Sequence, residues 1–208
     1  IDIGVNATFR NNISDGDDGG AIYIETHSDH GNSGNQSIDI GGNATFKFNS
    51  AGDNGGAIYM FSEAYFGDTG AQTIVIGGDA TEIGGDAYFE GNSAGDGGGA
   101  IYMRSVAGFS EGDDGNTGYQ TIDINGDATF KANIARYGAG GAIYLRSDAE
   151  YNTGNQLIDI DGDATFTSNS AGGSGGAIYM GSAANDDTGY QRIYIDGSAT
   201  FTSNIAGG

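Results

Sequence analysis

The chain alternates between short apolar phrases and polar, glycine-rich connections, and the same phrases return in a fixed order. The first phrase is Ile-x-Ile, as in "IDI" at 38–40. The second is Phe-x-x-Asn, in which two residues separate the Phe from the Asn, as in "ATFKFN" at 44–49, and the third is "GGAIY", as at 55–59. Each phrase is β-branched or aromatic and is bounded by Gly, Asp, Asn or Ser, which is typical of strands between turns.

The three phrases repeat about every 36 residues, five times with a partial sixth copy. No stretch shows the apolar period of a helix. We therefore predict an all-β fold, a parallel β-helix in which one repeat of three strands forms each coil. A propeller is the alternative, but its blades would need tight hairpins and would normally carry Trp, which the chain lacks. We expect one β-helix segment over 1–208, part of a longer repeat array, with coils that start near residues 1, 38, 74, 122, 158 and 193.

Alternation along each strand predicts which side chains face the core. Successive residues point to opposite sides, so Phe46 is expected inside the coil and Tyr59 outside it. The paired glycines before Ala-Ile-Tyr indicate either a corner with positive φ or an inner surface too tight for a β-carbon. The Asn of the second phrase is expected to form a hydrogen-bonded structural ladder at a corner. This ladder comprises Asn12, Asn49, Asn92, Asn133, Asn169 and Asn204.

The period is broken where the chain duplicates seven residues, "IGGDATE" at 76–82 followed by "IGGDAYF" at 83–89. Phe89 and Asn92 continue the aromatic and Asn columns, so we expect the first copy, which ends at Glu82, to be extruded. Polar loops lead from the third phrase back to the next Ile-x-Ile, and we predict that they contact a target. They span 25–35, 61–71, 104–119, 146–155 and 181–190.

Charge and composition exclude several classes of function. The 208 residues include 41 Gly and no Pro, Cys or Trp, and 7 Lys+Arg against 28 Asp+Glu give a formal charge of −21. Such a charge repels nucleic acid and anionic lipid, so nucleic-acid binding is excluded. The lack of Cys removes disulfides, Cys-type zinc sites and thiol nucleophiles. No apolar run approaches the roughly 20 residues of a spanning helix, so no transmembrane segment is expected in this chain.

Repeated "GGAI" in alternation with Phe-x-x-Asn resembles the repeat pair of the chlamydial polymorphic membrane proteins and of related bacterial surface proteins. The resemblance covers nearly the entire chain, with five copies of "GGAIY" and six of Phe-x-x-Asn. It implies a right-handed β-helix, an autotransporter-like passenger that is exported, displayed at the cell surface and active in adhesion. The chain departs from that family in its lack of Cys, its acidity and its longer polar loops.

The regularity of the repeat argues against catalysis. Polysaccharide-degrading β-helix enzymes, the alternative function, gather carboxylates with Arg or Lys in one groove. Here an outward acidic column obeys the repeat, whereas a catalytic site should break it. We therefore predict a non-enzymatic structural protein without catalytic residues. The acidic column consists of Asp2, Asp39, Asp123 and Asp159.

The acidic turns are the candidate cation sites, because stacked like charges repel one another. The sequence requires no cofactor, and weak Ca²⁺ binding is a hypothesis for these turns, none of which matches an EF-hand or the nonapeptide Ca²⁺ repeat. The candidate calcium residues are Asp15, Asp17, Asp113, Asp114, Asp186 and Asp187. His27 and His30 have a metal-like spacing only in a helix, and "THSDH" is predicted to be a loop.

The tyrosine of the third phrase would form an outward aromatic stripe. Such a stripe is either a contact surface for a partner or is covered by the protein's own loops. Two functions remain, an adhesin stalk or passenger that contacts a host, cell-surface or glycan target, and a subunit that self-associates into a surface fibre through open strand edges. Both imply an extracellular location. The stripe comprises Tyr23, Tyr59, Tyr102, Tyr144 and Tyr179.

Overall fold

The fold is a stack of parallel strands, described for residues 1–77, 85–108 and 115–207 of a computed structural model. The described residues form no helix, and equivalent strands of successive coils pair in register along the whole stack. This arrangement is the predicted right-handed parallel β-helix. Each coil contains one strand more than the three expected, because a two-residue strand lies between the second and third phrases.

Sheets A and B are built from the Ile-x-Ile and Phe-x-x-Asn phrases. Equivalent residues lie directly above one another, as Phe46 does between Phe9 and Phe89. Sheet A consists of Asp2–Ile3, Gln36–Ile40, Gln72–Ile76, Gln120–Ile124, Gln156–Ile160 and Gln191–Ile195. Sheet B consists of Ala7–Arg10, Ala44–Lys47, Ala87–Glu90, Ala128–Lys131, Ala164–Thr167 and Ala199–Thr202.

Sheets C and D complete the coil. Sheet C consists of Ile13–Ser14, Ser50–Ala51, Ser93–Ala94, Ile134–Ala135, Ser170–Ala171 and Ile205–Ala206. Sheet D consists of Ile22–Ser28, Ile58–Ala64, Ile101–Ala107, Ile143–Ala149 and Ile178–Ala183. A short parallel pair, Asn152–Thr153 with Asp187–Thr188, extends the last loops.

The strands of sheet D run farther than the sequence predicted. The predicted loops began at residues 25, 61, 104, 146 and 181, yet the first part of each is strand, and His27 lies in a strand rather than in a loop. The reason is that Ser62, Ser105 and Ser147 point inward, are fully buried, and find hydrogen-bond partners inside the coil. Because these positions are polar, the sequence pattern predicted a loop where the chain forms a strand.

Aromatic and aliphatic columns fill the interior. Phe46, Phe89, Phe130 and Phe166 are fully buried, and neighbouring rings stack with centroids 4.8 to 4.9 Å apart. The Ile pairs of sheet A and the Ile and Met or Leu of sheet D close the core around them. Since each buried Ile or Phe contributes roughly 1.5 to 3 kcal/mol, the columns hold the coils together without disulfides.

The two glycines of "GGAIY" have different roles. The first, such as Gly55, adopts positive φ at the corner, at +64° here and between +63° and +69° in the other coils. The second, such as Gly56, lies so close to the carbonyl oxygen of Gly99 in the next coil that a β-carbon would overlap it. Both backbone explanations proposed from the sequence therefore apply, one to each glycine.

The second copy of the seven-residue duplication continues the regular coil, as expected. Ala87–Glu90 pairs with both neighbouring coils, and Phe89 and Asn92 continue their columns. The first copy, predicted to be extruded, falls largely in 78–84 and so outside the described residues.

Candidate binding surface

The predicted asparagines form a hydrogen-bonded column at the corner between sheets B and C. From Asn49 onward, each Oδ1 accepts from both the backbone N–H and the Nδ2 of the preceding Asn, as Asn133 does from Asn92 at 3.1 and 3.0 Å. Each of these Nδ2 groups also donates to the carbonyl of the Phe one coil before, as Asn133 does to Phe89 at 3.0 Å. The column runs from Asn12 to Asn204 and satisfies turn groups that would otherwise be buried unpaired.

The predicted tyrosine stripe is present as a stacked column whose middle is covered. Neighbouring rings lie 4.7 to 5.3 Å apart between centroids. Tyr59 and Tyr102 are each only 7% exposed, whereas Tyr23 is 50% exposed. The corner at Gly97 lies against the Tyr102 ring, and burial raises the pKa of Tyr102 to about 12. The rings therefore contact mainly one another and the protein's own corners, and partner contact through them stays a prediction.

Two arginines and one aspartate link the coils beside this stripe. Arg104 Nη2 lies 3.0 Å from Asp148 Oδ2, and Arg146 Nε lies 2.9 Å from the same oxygen. Hydrogen bonding to Asp148 raises the pKa of Arg146 further above its usual value. One carboxylate is therefore shared by two guanidinium groups and joins two neighbouring coils.

A second buried column was missed by the sequence analysis. Gln120 Nε2 donates to Gln72 Oε1 at 2.9 Å and to the Arg146 carbonyl at 2.9 Å, and Ser105 Oγ donates to Gln72 Oε1 at 3.1 Å. Gln36, Gln72, Gln120 and Gln156 are at most 3% exposed. The recurring Gln before Ile-x-Ile was the available signal. This column fixes the place where each loop rejoins sheet A.

The acidic column lies on the outer face of sheet A. Asp39 pairs in register with Asp2 and Val75, and Asp123 pairs with Asp159. Burial, and then the neighbouring carboxylates, raise the pKa of Asp123 and of Asp159 above their ordinary values. The column repeats a structural position, and Arg192 lies near enough to Asp159 to oppose part of the rise in its pKa.

The candidate calcium residues do not come together as a metal centre in the described part of the chain. Asp15, Asp17, Asp186 and Asp187 are exposed, and Asp113 and Asp114 lie outside the described residues. Across 1–77, 85–108 and 115–207, no group of three or more His, Cys, Asp or Glu is arranged to hold a metal ion. Calcium binding stays a prediction.

His27 links two coils through ion pairs. Its Nδ1 lies 2.9 Å from Glu63 Oε2 and its Nε2 lies 2.9 Å from Asp29 Oδ1. The hydrogen bond to Asp29, with that to Glu63, raises the pKa of His27 above its ordinary value. A carboxylate at each ring nitrogen stabilises the protonated imidazolium relative to the neutral ring, which is the cause of this rise.

The connections from sheet D to sheet A form one continuous side of the rod. We call their described residues, 29–35, 65–71, 115–119, 150–155 and 184–190, the loop surface. Apolar rings are exposed here although the interior columns are closed, and some rings pack together, as His30 does on Phe66 with centroids 5.0 Å apart. The exposed aromatic residues of the loop surface are Tyr65, Phe66, Tyr119, Tyr151 and Tyr190. Exposed aromatic groups along one side are typical of contact surfaces.

Three segments match the Chlamydia polymorphic membrane protein repeat. They are residues 6–25, 86–104 and 163–181, and each runs from the start of sheet B through the Asn corner into sheet D. The resemblance noted in the sequence is confirmed, and this repeat family is a structural, surface-associated one. The chain matches none of the curated proteins and none of the solved structures with which it was compared.

The matched segments exclude the loop surface. The matches cover strands of sheets B and C and the first part of sheet D, and sheet A lies outside them as well. In the described ranges, no helix has the length and apolar character needed to cross a membrane.

Proposed function

We propose that this chain is a non-enzymatic, extracellular β-helix passenger displayed at a cell surface, where it acts as an adhesin. In this proposal the stacked coils are the stalk and the loop surface contacts the target. The matches to a surface-associated repeat family support the location. The absence of a catalytic role is inferred from carboxylates that follow the repeat instead of departing from it.

The observation that carries the proposal is the contrast between the two sides of the rod. The interior and the corners repeat similar residue types from coil to coil, and the asparagine column is hydrogen-bonded between coils. The loop surface instead varies in length and keeps Tyr65, Phe66 and Tyr151 exposed. Aromatic side chains left in water on one side of a rigid rod are the groups that dominate the energy of protein interfaces.

Adhesion of protein-coated fluorescent beads to cultured epithelial cells tests the proposal. A triple variant, Tyr65→Ser, Phe66→Ser and Tyr151→Ser, removes exposed rings of the loop surface without touching the core. The matched control is Tyr137→Ser, because Tyr137 is 80% exposed but follows sheet C on another side of the coil. We expect the triple variant to lower bead retention about tenfold or more and the control to leave it nearly unchanged.

Equal retention by the wild type and the triple variant would contradict the adhesive role of this surface. Electron microscopy of the wild-type protein distinguishes the passenger from a self-assembling surface fibre, which stays a second prediction. Isolated short rods at micromolar concentration would support the passenger, and filaments would support self-assembly.

A further inference from the structure

A groove on the loop surface lies where the repeat is broken. The residue just before the Gln that begins each later strand of sheet A is Asn35, Ala71, Tyr119, Asn155 and Tyr190 in successive coils. Tyr119 and Tyr190 are 61% and 76% exposed, so neither ring is needed to close the core. Between them lies a groove of about 350 Å³, which is within the roughly 300 to 1,000 Å³ range of small-ligand sites.

The floor of the groove is hydrogen-bonded between coils and leaves no room for a side chain. Gly154 N–H donates to Thr117 Oγ1 at 3.0 Å, and Gly189 N–H donates to Thr153 Oγ1 at 2.9 Å. A β-carbon on Gly189 would lie 2.6 Å from the Gly154 carbonyl oxygen, so a larger residue would not fit at this position without displacing the backbone. The space between the two tyrosines is therefore kept open by the close packing of the glycine backbone beneath it.

The groove presents polar groups that are available to a ligand. Asn155 Oδ1 accepts from the Tyr190 N–H at 2.9 Å, which fixes the amide. Among the residues that the structure describes, Asn155 Nδ2, the Asp187 carboxylate and the Thr188 hydroxyl have no hydrogen-bond partner. One donor, one acceptor and one hydroxyl along the same groove match a ligand that carries several neighbouring hydroxyl groups.

The two tyrosines and the polar groups between them together indicate a class of ligand. The tyrosines belong to coils two steps apart, so at about 4.8 Å per step their backbone positions are separated by about 9.6 Å, with Asn155 on the step between them. Exposed aromatic faces beside hydrogen-bonding groups suit a sugar, which presents C–H groups on the faces of its ring and hydroxyl groups around its edge.

Charge then decides between neutral and anionic saccharides. The chain carries a formal charge of −21, and Asp187 lines the groove. Carboxylated or sulfated sugars would be repelled, whereas neutral hydroxyl groups can donate to the carboxylate. We propose that Tyr119, Asn155 and Tyr190 form a binding site for a neutral saccharide, an inference that rests on the proposed adhesive function for its biological role.

A printed array of neutral, sialylated and sulfated oligosaccharides tests this site, followed by calorimetric titration of the neutral glycan that binds best. We expect binding to neutral glycans only, with a loss of tenfold or more in affinity for Tyr119→Ser and for Tyr190→Ser. Tyr137→Ser, an equally exposed tyrosine outside the groove, should bind like the wild type. Circular dichroism of each variant checks that the fold is kept.

The saccharide site is wrong if no neutral glycan binds, if the anionic glycans bind instead, or if Tyr137→Ser weakens binding as much as Tyr119→Ser. This result is separable from the adhesive function. Beads that adhere through Tyr65, Phe66 and Tyr151 while the protein binds no saccharide would overturn only the groove. Saccharide binding without cell adhesion would overturn only the proposed adhesin.

Discussion

Replacing Asn133 by Ala should destabilise the rod far more than a surface substitution does. Asn133 is fully buried, and its side chain makes four hydrogen bonds. It accepts from the N–H and the Nδ2 of Asn92, and it donates to the carbonyl of Phe89 and to Oδ1 of Asn169. All four are lost in the variant, and no water can reach the site without opening the coil.

The size of the effect follows from which groups are left without partners. The Asn92 N–H loses its acceptor inside the protein, which costs about 1 to 3 kcal/mol, and the other lost hydrogen bonds add roughly 1 kcal/mol or less each. We expect a total of about 4 kcal/mol. Asn12 is the control, because it is partly exposed and its side chain donates only to Asn49 Oδ1. Asn12→Ala should cost about 1 kcal/mol.

Urea denaturation followed by circular dichroism measures the change in unfolding free energy. Hydrogen exchange adds a local test, since the protection of the Asn92 amide should fall by about 10³-fold, the equivalent of about 4 kcal/mol. If Asn133→Ala and Asn12→Ala destabilise equally, or if the Asn92 amide stays protected, the asparagine column does not stabilise the rod as reasoned.

Three further predictions concern backbone fit, pH and ions. Gly141→Ala should lower the melting temperature strongly, because its β-carbon would overlap the Gly176 carbonyl oxygen, while Gly34→Ala, with open space around it, should leave thermal melting unchanged. NMR titration should place the pKa of His27 above its ordinary value. The ion pairs of His27 between coils then stabilise the fold fully below about pH 6.5, and this stabilisation is lost as the pH rises through the raised pKa. Glu63→Gln should lower the pKa of His27, and an unchanged pKa in this variant would contradict the ion pair. Added NaCl should raise the melting temperature of this highly acidic chain by screening, and a larger rise with CaCl₂ at equal ionic strength would support calcium binding.

The columns could be predicted from sequence because a stacked repeat turns linear spacing into spatial contact. Once Phe46 and Phe89 occupy the same phrase, they can only lie above one another, and the structure stacks them at 4.8 Å. The same reasoning placed Asn92 beside Asn133. Prediction from sequence failed where polar residues are buried, as at Ser105 and Gln72. Their inward orientation depends on hydrogen-bond partners from other parts of the coil.

The sequence by itself determined the architecture, since its period, its alternation and its glycines specify coils, core columns and corners by local geometry alone. Only the tertiary structure decided which surface is open. Tyr59 was expected to face outward from a strand and Tyr119 lay in a predicted loop, yet the first is 7% and the second 61% exposed. The difference arises because Tyr59 stacks between tyrosines of both adjacent coils, whereas Tyr119 lies next to the smaller Ala71 and Asn155 of its column. Exposure depends on what lies in neighbouring coils, and stacking the coils is what brings those residues together.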